Sequence, residues 1–117
     1  MALDSLIRSF GDVRVVDCRG RIVLGEETAK LRELVKDLLR PSGRLVLDLT
    51  HVTHIDSNGI GMLVGVHITA KNANAVIKLA GLVDHVRSVM ETTRLLAIFE
   101  TYPTAEEAVA SFAPPGK

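Results

Sequence analysis

At 117 residues, with 47% apolar and 24% charged residues, the chain has the size and composition of one folded domain around a single core, which excludes a disordered or fibrous protein. Fourteen basic residues balance fourteen acidic ones, so no overall field draws it to nucleic acid or to an anionic membrane surface. Cys18 is the only cysteine and allows no internal disulfide. Residues 1–5 lack a basic segment followed by an apolar one; both features read as a cytoplasmic protein.

In chain order, residues 13–18 and 21–24 read as two strands meeting at Arg19-Gly20, a hairpin signal. Cys18 lies in the alternating run and reads as buried filler. Residues 26–39 form an amphipathic helix, with Leu31, Leu34, Val35, Leu38 and Leu39 on one face. Glu26 and Glu27 suit its positive end, Arg40 its negative end, and Pro41-Ser42-Gly43 stops it. Residues 45–49 are a short apolar strand suited to the middle of a parallel sheet, with Asp48 its one charge.

A loop over 51–56 then leads into a second helix, residues 57–72, apolar on most of its circumference. Its apolar stretch 60–68 is interrupted by Gly61, Gly65 and His67 and is too short to span a bilayer. Residues 76–80 form a strand ended by Gly81. Asp84 has the chemistry to cap a third helix through Met90, with Val86, Val89 and Met90 facing inward. Residues 97–99 form a short strand, and Thr104-Ala105-Glu106-Glu107 has capping-box spacing for a last helix through Phe112. Residues 113–117 read as a frayed tail. The order is ββαβαβαβα: a single α/β domain over residues 1–117, core about 13–112, with a mostly parallel sheet and an N-terminal β-hairpin.

In such sheets, sites form where strand C-terminal ends meet helix N-termini. Asp56-Ser57-Asn58-Gly59-Ile60-Gly61 falls at such a junction, and four readings of Ser57 compete. A nucleophile elbow needs Gly-x-Ser-x-Gly, and Ile55 stands where the first glycine belongs. A nucleotide-binding loop fails because Gly59-x-Gly61-x-x-x-Gly65 is one residue too long and no P-loop sequence occurs. The third reading is a helix cap, with Gly61 and Gly65 permitting close approach of another backbone. In the fourth, Ser57 is a phosphorylation switch on a binding surface, with Gly59 and Gly61 leaving the hydroxyl unobstructed. His51, His54, His67 and His85 have no cysteine or carboxylate set at metal-site spacing, so no metal is expected.

Asp48-Leu49-Thr50, five residues, and then Asp56-Ser57-Asn58-Gly59-Ile60-Gly61 resemble the signature of STAS domains, particularly bacterial anti-sigma factor antagonists. The similarity runs from about Val13 to Phe112. The resemblance implies a binding module without catalysis or cofactor of its own. Such an antagonist binds an anti-sigma factor that is also a serine kinase and thereby releases a sigma factor. It is inactivated by phosphorylation of the serine matching Ser57 and restored by a PP2C-type phosphatase; ATP and magnesium belong to these partners. Asp48, Asp56, Asn58, Gly59, Ile60 and Gly61 would form the phosphosite environment and partner-binding surface. Asn58 replaces a commoner Ser or Thr, leaving Ser57 as the hydroxyl of the hexapeptide. The expected state is a monomer or weak homodimer, with no direct nucleic-acid or membrane contact. A STAS scaffold, or a subunit of a sensory or lipid-transport assembly without regulated phosphorylation, is the alternative.

Overall fold

Five strands form one sheet in the order β1-β2-β3-β4-β5, in the computed structural model, which describes residues 3–112. β1 (Leu3–Phe10) and β2 (Val13–Ile22) are antiparallel, and β3 (Arg44–Ile55), β4 (Val76–Ala80) and β5 (Thr101–Tyr102) follow in parallel. Helices α1 (Glu26–Ser42), α2 (Ser57–Asn72) and α3 (Asp84–Thr92) connect successive parallel strands, and α4 (Ala105–Ala110) closes the chain. The expected α/β architecture with an N-terminal hairpin and the order ββαβαβαβα is what forms.

The details differ in instructive places. The hairpin turns at Gly11-Asp12, since Phe10 pairs with Val13 and Gly11 takes the left-handed φ of 62° that a tight two-residue turn requires. Arg19-Gly20, expected to be the turn, lies inside β2, where the pairing with β3 shifts register on either side of it. β3 continues to Ile55, so the expected loop over 51–56 is mostly strand; its outer half pairs with Arg19–Ile22 alone. The segment expected as a strand at 97–99 instead begins within a short 3₁₀ turn, Leu95–Ala97, and continues irregularly, with Leu95 and Phe99 buried in the core. The last strand is Thr101–Tyr102. The tail expected over 113–117 lies outside the described residues.

Side chains alternate across the sheet and divide the core in two. On one face, Leu45, Leu47 and Leu49 of β3 meet Leu31, Val35 and Leu39 of α1, Met62, Leu63 and Val66 of α2, and Val86 and Met90 of α3. On the other, Val13, Val15, Val46 and Ala80 meet Ala105 and Ala108 of α4. Val86 and Met90 of α3 point inward as expected, and Val89 packs against the same core from a partly buried position. Asp84 does not cap α3 as expected: the N-cap position falls on Val83, which has no side chain able to accept a bond, and Asp84 is instead the acidic residue of the first turn. Thr104 does cap α4: its hydroxyl accepts the Glu107 N–H at 3.1 Å.

Cys18 is fully buried, and burial, with Asp17 and Asp48 nearby, pushes its thiol up to about 12. It is filler, as its place in the alternating run implied.

Candidate functional site

The junction between β3 and α2 is held by Asp56. Its backbone is still extended, so it is the N-cap residue of α2 and Ser57 is the first residue inside the helix. Asp56 Oδ1 accepts the N–H of Asn58 at 2.9 Å and of Gly59 at 3.0 Å, satisfying two amides that have no partner within the helix. Its Oδ2 accepts the Leu24 N–H at 3.0 Å and so fastens the β2–α1 loop to the start of α2. The backbone N–H groups of Gly59, Leu24 and Asn58, in that order of importance, hold the Asp56 carboxyl below its ordinary range. The capping role weighed for Ser57 thus belongs to Asp56.

Relieved of capping, Ser57 is exposed, and among the described residues its hydroxyl has no hydrogen-bond partner. Asn58 beside it is also exposed. The two motif glycines do different things. Gly59 is buried, and a Cβ there would overlap the Ile22 carbonyl oxygen and come within 2.7 Å of Ile55 Cγ1. Its missing side chain lets α2 press against the ends of β2 and β3; it does not clear space over Ser57, as the sequence suggested. Gly61 is exposed, with nothing within 4 Å of a Cβ position, and Gly65 one turn on is likewise open. Neither therefore receives another backbone from among the described residues, contrary to the close approach expected of them. Ile60 turns partly inward against the core.

The outer side of α2 is accordingly a low ridge running from Ser57 past Gly61 and Gly65 to the exposed Ile68. At its start stands Leu24, 75% exposed, on the loop that Asp56 fastens. Leu24, Thr28, Ala29, Arg32 and Asn58 line a shallow cavity of about 160 Å³ beside the serine. Leu24 and Arg32 were not singled out from the sequence. An apolar residue before Gly25 was the available signal, but the reading placed Leu24 inside a strand.

Asp48 is not part of this arrangement. It lies on the α4 side of the sheet, two residues from Val46, whereas α2 packs on the opposite side. Its Oδ1 accepts both the amide and the hydroxyl of Thr50, at 3.1 and 2.6 Å, and its Oδ2 lies 3.6 Å from Arg8 Nη2. Thr50, held in this way, fits against Gly81, where a Cβ would overlap its hydroxyl. The Asp48-Leu49-Thr50 half of the motif is structural here: it fixes β3 against β1 and the end of β4.

The histidines are dispersed. His54 lies beside His85, ring centres 5.2 Å apart, and His67 packs on Phe99 at 5.1 Å. Among the described residues no three His, Cys, Asp or Glu side chains gather as a metal site would require, and no helix is long and apolar enough to cross a membrane.

A mostly parallel sheet with one antiparallel edge hairpin, and an acid-capped helix presenting an exposed serine, define a small α/β domain. The STAS domain family profile matches residues 6–108, and the chain belongs to that family. It is 27% identical over 100 residues to a STAS-domain containing protein of Pseudomonas aeruginosa, covering 86% of this chain and 98% of that one. Its fold is shared with an anti-sigma factor antagonist from Mycobacterium paratuberculosis, with TM-score 0.79, 22% identity, and coverage of 94% of this chain and 93% of that chain. The antagonist SpoIIAA is similar in its unphosphorylated form, with TM-score 0.75, 16% identity, and coverage of 95% of this chain and all of that one. The phosphorylated form of the Bacillus protein gives TM-score 0.72, 14% identity, and coverage of 92% and 97%.

Proposed function

We propose that this STAS domain is an anti-sigma factor antagonist that binds an anti-sigma factor with serine-kinase activity, releases a sigma factor, and is switched off by phosphorylation of Ser57. The observation that carries the reading is the state of Ser57: an exposed hydroxyl with no hydrogen-bond partner among the described residues, on a backbone fixed from below by Asp56 and Gly59. A kinase needs such a hydroxyl, reachable by its own active site and costing no internal bond to move. The ridge through Gly61 and Gly65 lets a partner surface approach closely, and Leu24 supplies an apolar anchor next to the serine.

Phosphorylation adds a charge of about −1.5 to −2 at the first residue of α2. The helix N-terminus tolerates that charge, so the fold persists. A partner that had packed on Leu24 and the ridge would instead meet a dianion beside Asp56. Desolvating two neighbouring negative groups opposes the complex. In this reading Asp56, Asn58, Gly59, Ile60 and Gly61 shape the binding surface, Asp48 supports the sheet behind it, and the chain is a substrate and binding protein. ATP and magnesium enter with the kinase, and a PP2C-type phosphatase resets the serine.

The test is incubation with the serine-kinase anti-sigma factors of the same genome, ATP and magnesium, read by intact mass. The expected result is one added phosphate, absent from Ser57→Ala. No phosphate with any such kinase would refute the switch and leave an unregulated STAS binding module.

A further inference from the structure

β1 is a long edge strand whose protection against pairing is limited to the charges of Asp4 and Arg8. It is eight residues long, contains no proline, glycine or lysine, and among the described residues pairs only with β2, leaving alternate N–H and C=O groups along its outer side without a strand partner there. The opposite edge, β5, is two residues long and offers no comparable template. β1 also exposes apolar side chains on both sheet faces: Leu6 is 59% exposed on the α4 side and Ile7 is 42% exposed on the α1 side. Beside it, Leu3, Ser5, Leu31 and Leu34 line an open groove of about 330 Å³ between the strand and α1.

The strand's only charged residues are Asp4 and Arg8, two positions on either side of Leu6. We propose that β1 pairs with β1 of a second copy, antiparallel and about a two-fold axis through Leu6, giving a dimer with one continuous sheet. In that register Asp4 of each copy faces Arg8 of the other, and the two Leu6 side chains meet on the axis. Each Ile7 falls opposite Ser5, over the groove lined by Leu31 and Leu34. Shifting the register by one or two residues either way sets Asp4 and Arg8 opposite uncharged residues and loses both ion pairs. Arg8 can serve both contacts, because its guanidinium is bound only loosely to Asp48 at 3.6 Å and its side chain is 35% exposed.

One strand pair with a filled groove lies below the ~1,200–2,000 Å² buried in stable complexes, so the dimer is weak, with a dissociation constant on the order of 10–100 µM. Sedimentation velocity on the full, unphosphorylated chain from about 5 to 500 µM would show monomer passing to dimer across the range set by that constant. A chain that stays monomeric at the top of the range overturns the proposal.

Charge reversal tests the register. Asp4→Arg alone and Arg8→Asp alone should each be monomeric, while their equimolar mixture forms a heterodimer. Asp4→Arg that dimerises as the native chain does overturns the pairing. Because Arg8→Asp also removes the Asp48 contact, Leu6→Cys gives a measurement that does not depend on it. Oxidation should link two copies through Cys at position 6, while Ser9→Cys, which faces Leu3, should not self-link. Equal linking in both variants, or none in either, contradicts the axis. Kinase incorporation at Ser57 is read separately, so failure here and failure of the proposed switch are distinguishable.

Discussion

Replacing Gly59 and Gly61 in turn by alanine separates two residues that the motif places side by side. Neither has a left-handed φ, so the difference between them is one of space. At Gly59 the new methyl would overlap the Ile22 carbonyl oxygen and sit 2.7 Å from Ile55 Cγ1 and 3.0 Å from Ile22 Cγ2. The first obstacle is backbone in a hydrogen-bonded strand: Ile22 O also accepts the Asp56 N–H at 3.3 Å. The helix must therefore lift, at a cost of about 2–3 kcal/mol. For a chain of this length that lowers Tm by roughly 6–15 °C. At Gly61 the methyl meets nothing within 4 Å, and alanine gains about 0.4–1 kcal/mol by restricting the unfolded chain and favouring the helix. Thermal unfolding by circular dichroism, with urea titration as a second measure, should place Gly59→Ala well below the native chain and Gly61→Ala slightly above it. Equal stabilities, or the reverse order, would refute the assignment of Gly59 to packing.

Asp56→Asn keeps an acceptor for the α2 amides but turns an amide group toward the Leu24 N–H, so it should lower Tm at neutral pH. The native carboxyl titrates below its ordinary value, so its contribution is present above about pH 4 and is lost as pH falls through the folded value. The Tm difference between the two proteins should shrink on acidification from pH 7; a gap independent of pH would contradict the charge-assisted role. Cys18 should resist a thiol reagent in the folded protein and react fully in urea, because burial both hides it and raises its thiol to about 12. Rapid labelling under native conditions would show that the strand opens far more readily than its packing implies.

Much of this architecture is legible in the sequence wherever one face of an element is buried. The apolar spacing of α1 marks its inner face, where Leu31, Val35 and Leu39 are all buried, while β4 and α2 begin and end where their residues predict. β1 escapes detection because an edge strand exposed on much of both faces carries no alternation for burial to impose. Arg19-Gly20 has the composition of a turn but serves as an irregularity in a long strand, and only the register with β3 reveals that. Of the hexapeptide, Ser57 stands where the junction argument places it. The distinct duties of Asp56, Gly59 and Asp48 depend on contacts with Leu24, Ile22 and Arg8, residues distant in sequence.

The most direct test of the central claim is the affinity of an anti-sigma factor partner, measured by calorimetry, for the native chain, Ser57→Ala and Ser57→Asp. The account predicts that Ser57→Ala binds like the native chain, while Ser57→Asp binds at least about tenfold more weakly, a loss of roughly 1.4 kcal/mol. Equal affinity of the partner for Ser57→Ala and Ser57→Asp would contradict it.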